Sequence, residues 1–202
     1  MVDENSILRI FLILFGLAYV VLFWGGNFLQ KKMTGQSPFA LGIGKSGKEK
    51  KIELFFNVIF ITWVLRLIRL FFFPDFLRIL VVSKALSIGI GIIFMSGGLV
   101  GLAWVRIAMG ASWRVGVDHN AKTKLITRGP FRFSRNPVSL SFHMMYFGSF
   151  LIGQDLVLLG LFLINVIFIH LQILQEEKYL ESSHADDYRA YRAKVGRYLW
   201  KI

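Results

Sequence analysis

Apolar residues fall in long runs separated by short charged stretches, and the length of the runs is the first thing to read. The first, roughly Ile7 to Trp24, is long enough for a helix to cross about 30 Å of hydrocarbon. The second runs from about Ile52 to Phe73 and is closed by Pro74-Asp75; the third covers roughly Ile79 to Val105. From Pro137 to Leu174 the chain is apolar again, too long for one span and interrupted at Gly153-Gln154-Asp155. That triplet reads as a turn and predicts a helical hairpin with a rather short first arm. Beyond it, Gln175 to Ile202 alternates charged residues with Tyr188, Tyr191 and Val195, the pattern of an amphipathic helix on the membrane surface or folded over a loop.

Composition agrees with spans rather than a soluble core. Of 202 residues, 55% are hydrophobic and 18% charged, and the mean hydropathy is +0.57. A soluble protein of this size needs far more polar surface, and a disordered chain is poor in apolar residues. The expected fold is an all-α integral membrane protein with about five transmembrane helices and a cytoplasmic C-terminal amphipathic helix. Residues 1–78 would supply two helices and a basic loop, and residues 79–202 a core of span three, basic loop, hairpin and closing helix. Asp3 and Glu4 argue against reading the first run as a cleaved signal. With no cysteine, disulfides, thiol nucleophiles and Cys-based metal sites are excluded.

The net charge of +12 is placed as a membrane protein places it. Stretches 30–51, 106–135 and 175–202 hold six, seven and six of the lysines and arginines, nineteen of twenty-four. With five spans all three fall on one side, which the positive-inside rule makes cytoplasmic, leaving the N-terminus outside. A bacterial inner membrane is the expected location. No basic and aromatic face lies outside the spans, so nucleic acid is not an expected partner.

Several motifs read as structure. The stretch Gly42 to Lys48 lacks the first glycine of a phosphate-binding loop, position 39 being Phe, and reads as a basic loop. Gly89, Gly91, Gly97, Gly98 and Gly101 in span three predict close approach of helices. Arg66 and Arg69 share one face of span two and are expected to snorkel to the outer interface near Asp75 or meet a lipid headgroup. The four histidines, His119, His143, His170 and His184, lack metal-ligand spacing, so no metal is expected.

Chemistry concentrates in Leu125 to Pro137. Gly129-Pro130 sets a turn and Asn136-Pro137 the entry to a helix. Arg128, Arg132 and Arg135 present guanidinium forks suited to a carboxylate or phosphate, and the hairpin returns Glu176 and Glu177 to the same face. These groups suit a zwitterionic cosubstrate, and ion pairing among interfacial charges accounts for them equally well.

The order of these pieces resembles the membrane methyltransferase superfamily of isoprenylcysteine carboxyl methyltransferases and phospholipid N-methyltransferases. The matching pieces are Gly129-Pro-Phe-Arg132, Arg135-Asn-Pro137-Val-Ser139, Glu176-Glu-Lys-Tyr-Leu180 and Tyr188-Arg-Ala-Tyr191 to Val195, with Gly110-Ala-Ser-Trp113 upstream. They cover about residues 80 to 200. The resemblance implies S-adenosylmethionine held at the cytoplasmic end and a lipophilic acceptor entering sideways from the membrane lipids. It implies a cosubstrate site of Gly129, Pro130, Phe131, Arg132, Arg135, Asn136, Pro137, Leu140, Glu176, Glu177 and Leu180. Arg135, Asn136 and Glu177 would be the catalytic group, with His143, Arg192 and Lys194 toward the acceptor. Asn136 stands where the family usually has histidine and Ser139 where it has an aromatic; asparagine cannot carry a proton at neutral pH. Two other readings are an NADPH-dependent membrane reductase, with the three arginines on phosphates, and a non-catalytic lipid-binding protein.

Overall fold

The computed structural model describes residues 3–35, 47–76, 78–79, 83–113 and 125–199, except for the side chains at 48, 49, 52 and 53. His119 and most of the Gly42–Lys48 loop lie outside the described residues. Helix α1 (Glu4–Val20) starts at Asp3, whose carboxylate accepts the backbone N–H of Ser6 at 2.5 Å. A π-helical turn, Val21–Gly25, carries it into α2 (Gly26–Thr34), which stops at the left-handed Gly35. Then follow α3 (Gly47–Phe72), α4 (Lys84–Met109), α5 (Pro137–Gly153) and α6 (Leu156–Lys194).

Four rods are long and apolar enough to cross a membrane: Glu4–Thr34, Leu54–Phe72, Lys84–Ser112 and Leu156–Lys194. The fold is all-α, with no strand among the described residues. Helix α5, at 17 residues, is the shorter arm of the hairpin and spans about 25 Å at 1.5 Å per residue. The hairpin turn falls at Gln154-Asp155, where the break in the apolar pattern predicts it. The helices carry their apolar surplus outward, with Leu14, Val21, Ile93, Val100 and Leu163 among the exposed large side chains, as lipid-facing helices do.

The boundaries differ from the pattern in three places. The first rod runs ten residues past Trp24 because a helix does not end where its residues become polar. Helix α4 starts at Lys84 rather than Ile79, whose N–H goes to Gln154 O at 2.7 Å, across to the hairpin turn instead of into a helix. The closing helix begins at a kink rather than at Gln175: the run Leu156–Lys194 is two helices that meet at Ala185, where φ is 34 and ψ −107, and the second carries Tyr188 and Tyr191.

At one end of the bundle the α5–α6 turn meets the end of α3 and the start of α4. Arg66 and Arg69 both bond Asp155 Oδ2, at 2.7 and 2.5 Å, where the Asp155 side chain is 1% exposed, and Arg69 also donates to the carbonyls of Phe73 and Phe76 on either side of Pro74-Asp75. Its other oxygen caps α6 through Leu158 N at 2.9 Å, so the carboxylate is already ordered at the depth the guanidiniums occupy. Asp75 pairs with Lys84 instead, at 2.6 Å. Gln154, buried and left-handed at φ 45, bonds Ser87 Oγ at 2.7 Å, which also receives Arg78 at 2.8 Å.

Between the ends, α4 and α5 touch through small residues. A Cβ on Gly98 would lie 2.6 Å from Ser141 O, and one on Gly148 would lie 2.7 Å from Gly91 O. Trp63 anchors α3 to this pair, stacking on Tyr146 at 4.7 Å and donating to Ser149 Oγ at 2.8 Å. At the opposite end, Arg106 bonds Asn27 at 2.8 Å and lies over the Trp113 ring, tying α2 to the end of α4.

Candidate active site

The far end of the bundle is built from a tight turn, the start of α5 and the last part of α6. Gly129 to Arg132 forms a single 3-10 turn. Gly129 has φ +61, and a Cβ there would lie 3.1 Å from the Ala108 Cβ, so the turn is both left-handed and pressed against α4. Pro130 is buried, Phe131 half-buried, and Arg128 and Arg132 are exposed.

Ser134, Arg135 and Asn136 clasp the chain just after α6. Arg135 N donates to Gly196 O at 3.0 Å, while Ser134 Oγ and Asn136 Nδ2 donate to Arg197 O at 3.2 and 3.0 Å. From the helix side, Tyr191 OH donates to Phe131 O at 2.7 Å, and Tyr188, Tyr191 and Val195 pack on Phe131, Leu125 and Leu180. The turn and the tail are therefore one unit.

Inside that unit sits Glu177. Its oxygens accept Arg197 Nε at 3.1 Å and Nη2 at 2.8 Å, a bidentate pair, and Arg135 Nη2 lies 3.2 Å from Oε1. The Glu177 and Arg135 side chains are 9% and 8% exposed. Arg135 Nη1 also bonds Tyr188 OH at 3.1 Å, and its Nε is buried with no partner among the described residues. Hydrogen bonding to Glu177 raises Arg197 further above its ordinary value, so that side chain stays cationic. Two guanidiniums on one carboxylate, with an unfilled donor, form a set that can hold both charges of a zwitterion.

On the other side of the tail lies a cleft of about 460 Å³, lined by Leu140, His143, Val166, Ile167, His170, Leu171 and Tyr198. Ile167 and Leu171 are exposed among the lipid-facing residues, so the cleft opens sideways. Tyr198 OH is 2.6 Å from His170 Nδ1, and its ring is 6.1 Å from those of both His170 and His143. Burial raises the Tyr198 hydroxyl above the ordinary phenol value, keeping it protonated. His143 Nδ1 lies 3.1 Å from Asn165 Oδ1.

The structure thus brings Gly129, Pro130, Phe131, Arg135, Asn136 and Glu177 together, and Leu180 joins them by packing on the tyrosine cluster. Pro137 starts α5 buried below Asn136, and Leu140 and His143 line the cleft. Glu176 is exposed beside Glu177, Arg192 pairs with Glu181 at 3.5 Å on the outer face, and Lys194 is exposed; none of the three lines the cleft. Sequence reasoning missed Arg197, Tyr198 and Asn165. The first two look like ordinary interfacial residues in a charged tail, and a lone asparagine in an apolar run was the only available sign of the third.

The family model for phospholipid methyltransferases matches residues 86–187, from α4 through most of α6. The chain belongs to the phospholipid methyltransferase family. That family falls within the superfamily the motifs resemble, and it makes the chain a membrane methyltransferase of the kind that acts on lipids. An uncharacterised protein of Haemophilus influenzae is 42% identical over 48 residues, 24% of this chain and 76% of that one. The match to the family model ends at Asp187, so Tyr188, Tyr191 and Arg197 lie beyond it.

Proposed function

We propose that this chain transfers the methyl group of S-adenosylmethionine to a lipophilic acceptor that enters through the side cleft. The observation that carries the reading is the buried Glu177, shared by Arg135 and Arg197 beneath the Gly129–Arg132 turn and one residue along the tail from the cleft. The residues fit the donor: a methionine carboxylate matches the guanidiniums and the buried Arg135 Nε, and an ammonium or ribose hydroxyls match Glu177. When bound, S-adenosylmethionine supplies an electrophilic methyl on a sulfonium.

The protein's share is then placement. Arg135, Glu177 and Arg197 bind and orient the charged end; Asn136, through Arg197 O, fixes the tail that covers it. Pro130, Phe131, Pro137, Leu140 and Leu180 give the site its apolar walls and exclude water, with Arg132 and Glu176 at its exposed rim. Holding two reactants in line replaces a bimolecular encounter, a large share of what such a reaction needs. We place this catalytic core in residues 79–202, with 1–78 as its packing partner. We assign the Glu177 end to the cytoplasm of a bacterial inner membrane, on the charge distribution.

The test is thermal unfolding of the detergent-purified protein with S-adenosylmethionine, S-adenosylhomocysteine and NADPH in parallel. A ligand at 100 times its Kd stabilises by about 2.7 kcal/mol. Stabilisation by the first two is the expected result; NADPH alone points to a reductase, and silence from all three in folded protein points to a lipid-binding role.

A further inference from the structure

We infer that the junction of α2 and α4 is a binding site for the phosphate of an anionic phospholipid, held by Arg106 with Lys31 and Lys32. It is separate from the side cleft, which α5, α6 and the tail form, and shares no lining residue with it.

Charge pairing singles out Arg106. Six arginines are half-buried among the described residues: Arg66, Arg69, Arg78, Arg106, Arg135 and Arg197. Arg66 and Arg69 share Asp155, Arg135 and Arg197 share Glu177, and Arg78 is drawn by Asp75 and Glu4. Arg106 alone faces no carboxylate; among the described residues its partners are the Asn27 carbonyl and the Trp113 ring. A cation half out of water without a counter-charge is costly, and an anion at the site offsets that cost.

The guanidinium is held ready for one. Asn27 is 2% exposed, and its Oδ1 accepts both Arg106 Nη1 at 2.8 Å and Trp113 Nε1 at 3.0 Å. Gln30, on the next turn, donates to Trp113 O at 2.7 Å. Nη1 is thus committed to the protein, while Nε and Nη2, on the other edge, are accessible and unbonded among the described residues. A Cβ on Gly26 would lie 2.4 Å from Nε and 2.7 Å from Nη2, so the glycine leaves beside that edge a space that any side chain would fill. Paired N–H groups of this kind match two oxygens of one phosphate.

The surroundings choose the source of the phosphate. Arg106 stands one residue past the third apolar run and Gly26 two past the first, at the level where hydrocarbon gives way to headgroups. Lys31 and Lys32 are exposed, and Lys31 lies one helical turn beyond Asn27 on the same face of α2. Leu29 and Ile107, 55% and 79% exposed, offer apolar surface on the two helices for acyl chains. Three cations without a described carboxylate leave an ammonium headgroup nothing to meet, so the site favours a lipid with net negative charge over phosphatidylethanolamine.

Native mass spectrometry of the detergent-purified full chain tests this with phosphatidylglycerol and phosphatidylethanolamine of matched acyl chains, and with inorganic phosphate as a third probe. The chain is expected to hold phosphatidylglycerol at least about tenfold more tightly, the order expected of three basic side chains at an anionic headgroup. Arg106→Gln should remove most of that preference, and Arg106→Lys, which keeps the charge but not the fork, should retain part of it. Lys31→Ala with Lys32→Ala should weaken it without touching the Asn27 clamp. Equal binding of both lipids by the native chain, or a preference unchanged in Arg106→Gln, overturns the site. Inorganic phosphate bound as tightly as phosphatidylglycerol, and lost in Arg106→Gln, overturns the lipid as the source. If Arg106→Gln releases α2 and unfolds, the double lysine variant decides, and an unchanged preference there overturns the assignment.

Discussion

Glu177 and Arg197 join through two parallel hydrogen bonds, 3.1 and 2.8 Å long, and Arg135 closes on the same carboxylate from the start of α5. Glu177→Gln leaves two guanidiniums facing a neutral amide. Breaking one side of a buried ion pair costs about 3–5 kcal/mol. Arg197 is 31% exposed, so water screens part of the loss and the lower end applies. Thermal unfolding should show that drop, and the stabilisation by S-adenosylmethionine should vanish with it.

Asn136 is a clasp in this structure, so its substitutions divide by whether they can still donate. Asn136→Asp sets a carboxylate against Arg197 O and should release the tail, costing about 1–3 kcal/mol. Asn136→His retains an N–H donor and should cost less. Limited proteolysis beyond Lys194, compared across the two variants, reads the difference.

Asp155 holds two arginines and a helix start at once. Asp155→Asn keeps a capping oxygen for Leu158 N but removes the charge that Arg66 and Arg69 share. The expected loss is about 3–5 kcal/mol in thermal unfolding, with methyl transfer per folded molecule unchanged because the site is at the other end. A loss near 1 kcal/mol, the worth of a cap alone, would mean the arginines find water instead.

The α4–α5 seam predicts opposite outcomes for the same substitution. Gly148→Ala places a methyl 2.7 Å from Gly91 O and 2.8 Å from Met95 N, and neither backbone can yield. It should destabilise by about 1–3 kcal/mol. Gly89→Ala meets nothing within 4 Å and should be neutral or stabilising by up to about 1 kcal/mol. Paired melting curves decide.

Acid should loosen the link between α3 and α4. Its hydrogen bond to Lys84, above all, holds the Asp75 carboxyl below its ordinary value of 3.8. The folded state thus favours the charged form, and the contribution is present above 3.8 and lost as pH falls through the lower folded value. Melting temperature measured from pH 6 downward should fall more steeply for the native chain than for Asp75→Asn.

The helices were legible because lipid demands long apolar runs, and the hairpin turn because Gly153-Gln154-Asp155 has no place inside one. Helix ends were less so: nothing in the residues says that Ile79 will bond Gln154 O and delay α4. Within the site, the turn, Arg135, Asn136 and Glu177 could be read from their order. Arg197 could not, because what distinguishes it from Arg192, five residues earlier, is the course of the chain after α6. Arg66 and Arg69 showed the same limit: their spacing marked them as a pair, but only the folded hairpin identifies Asp155 as their partner.

Arg197 and Tyr198 are consecutive, yet one is held by Glu177 and the other sits in the side cleft. A donor that displaces Arg197 therefore drags Tyr198, and an acceptor that pushes Tyr198 pulls on Arg197. Such linkage is reciprocal: whatever factor one ligand imposes on the other's affinity is returned in full. On the proposed reading, the donor and the acceptor are geared through two neighbouring residues of one tail, and neither affinity is set by its own contacts alone.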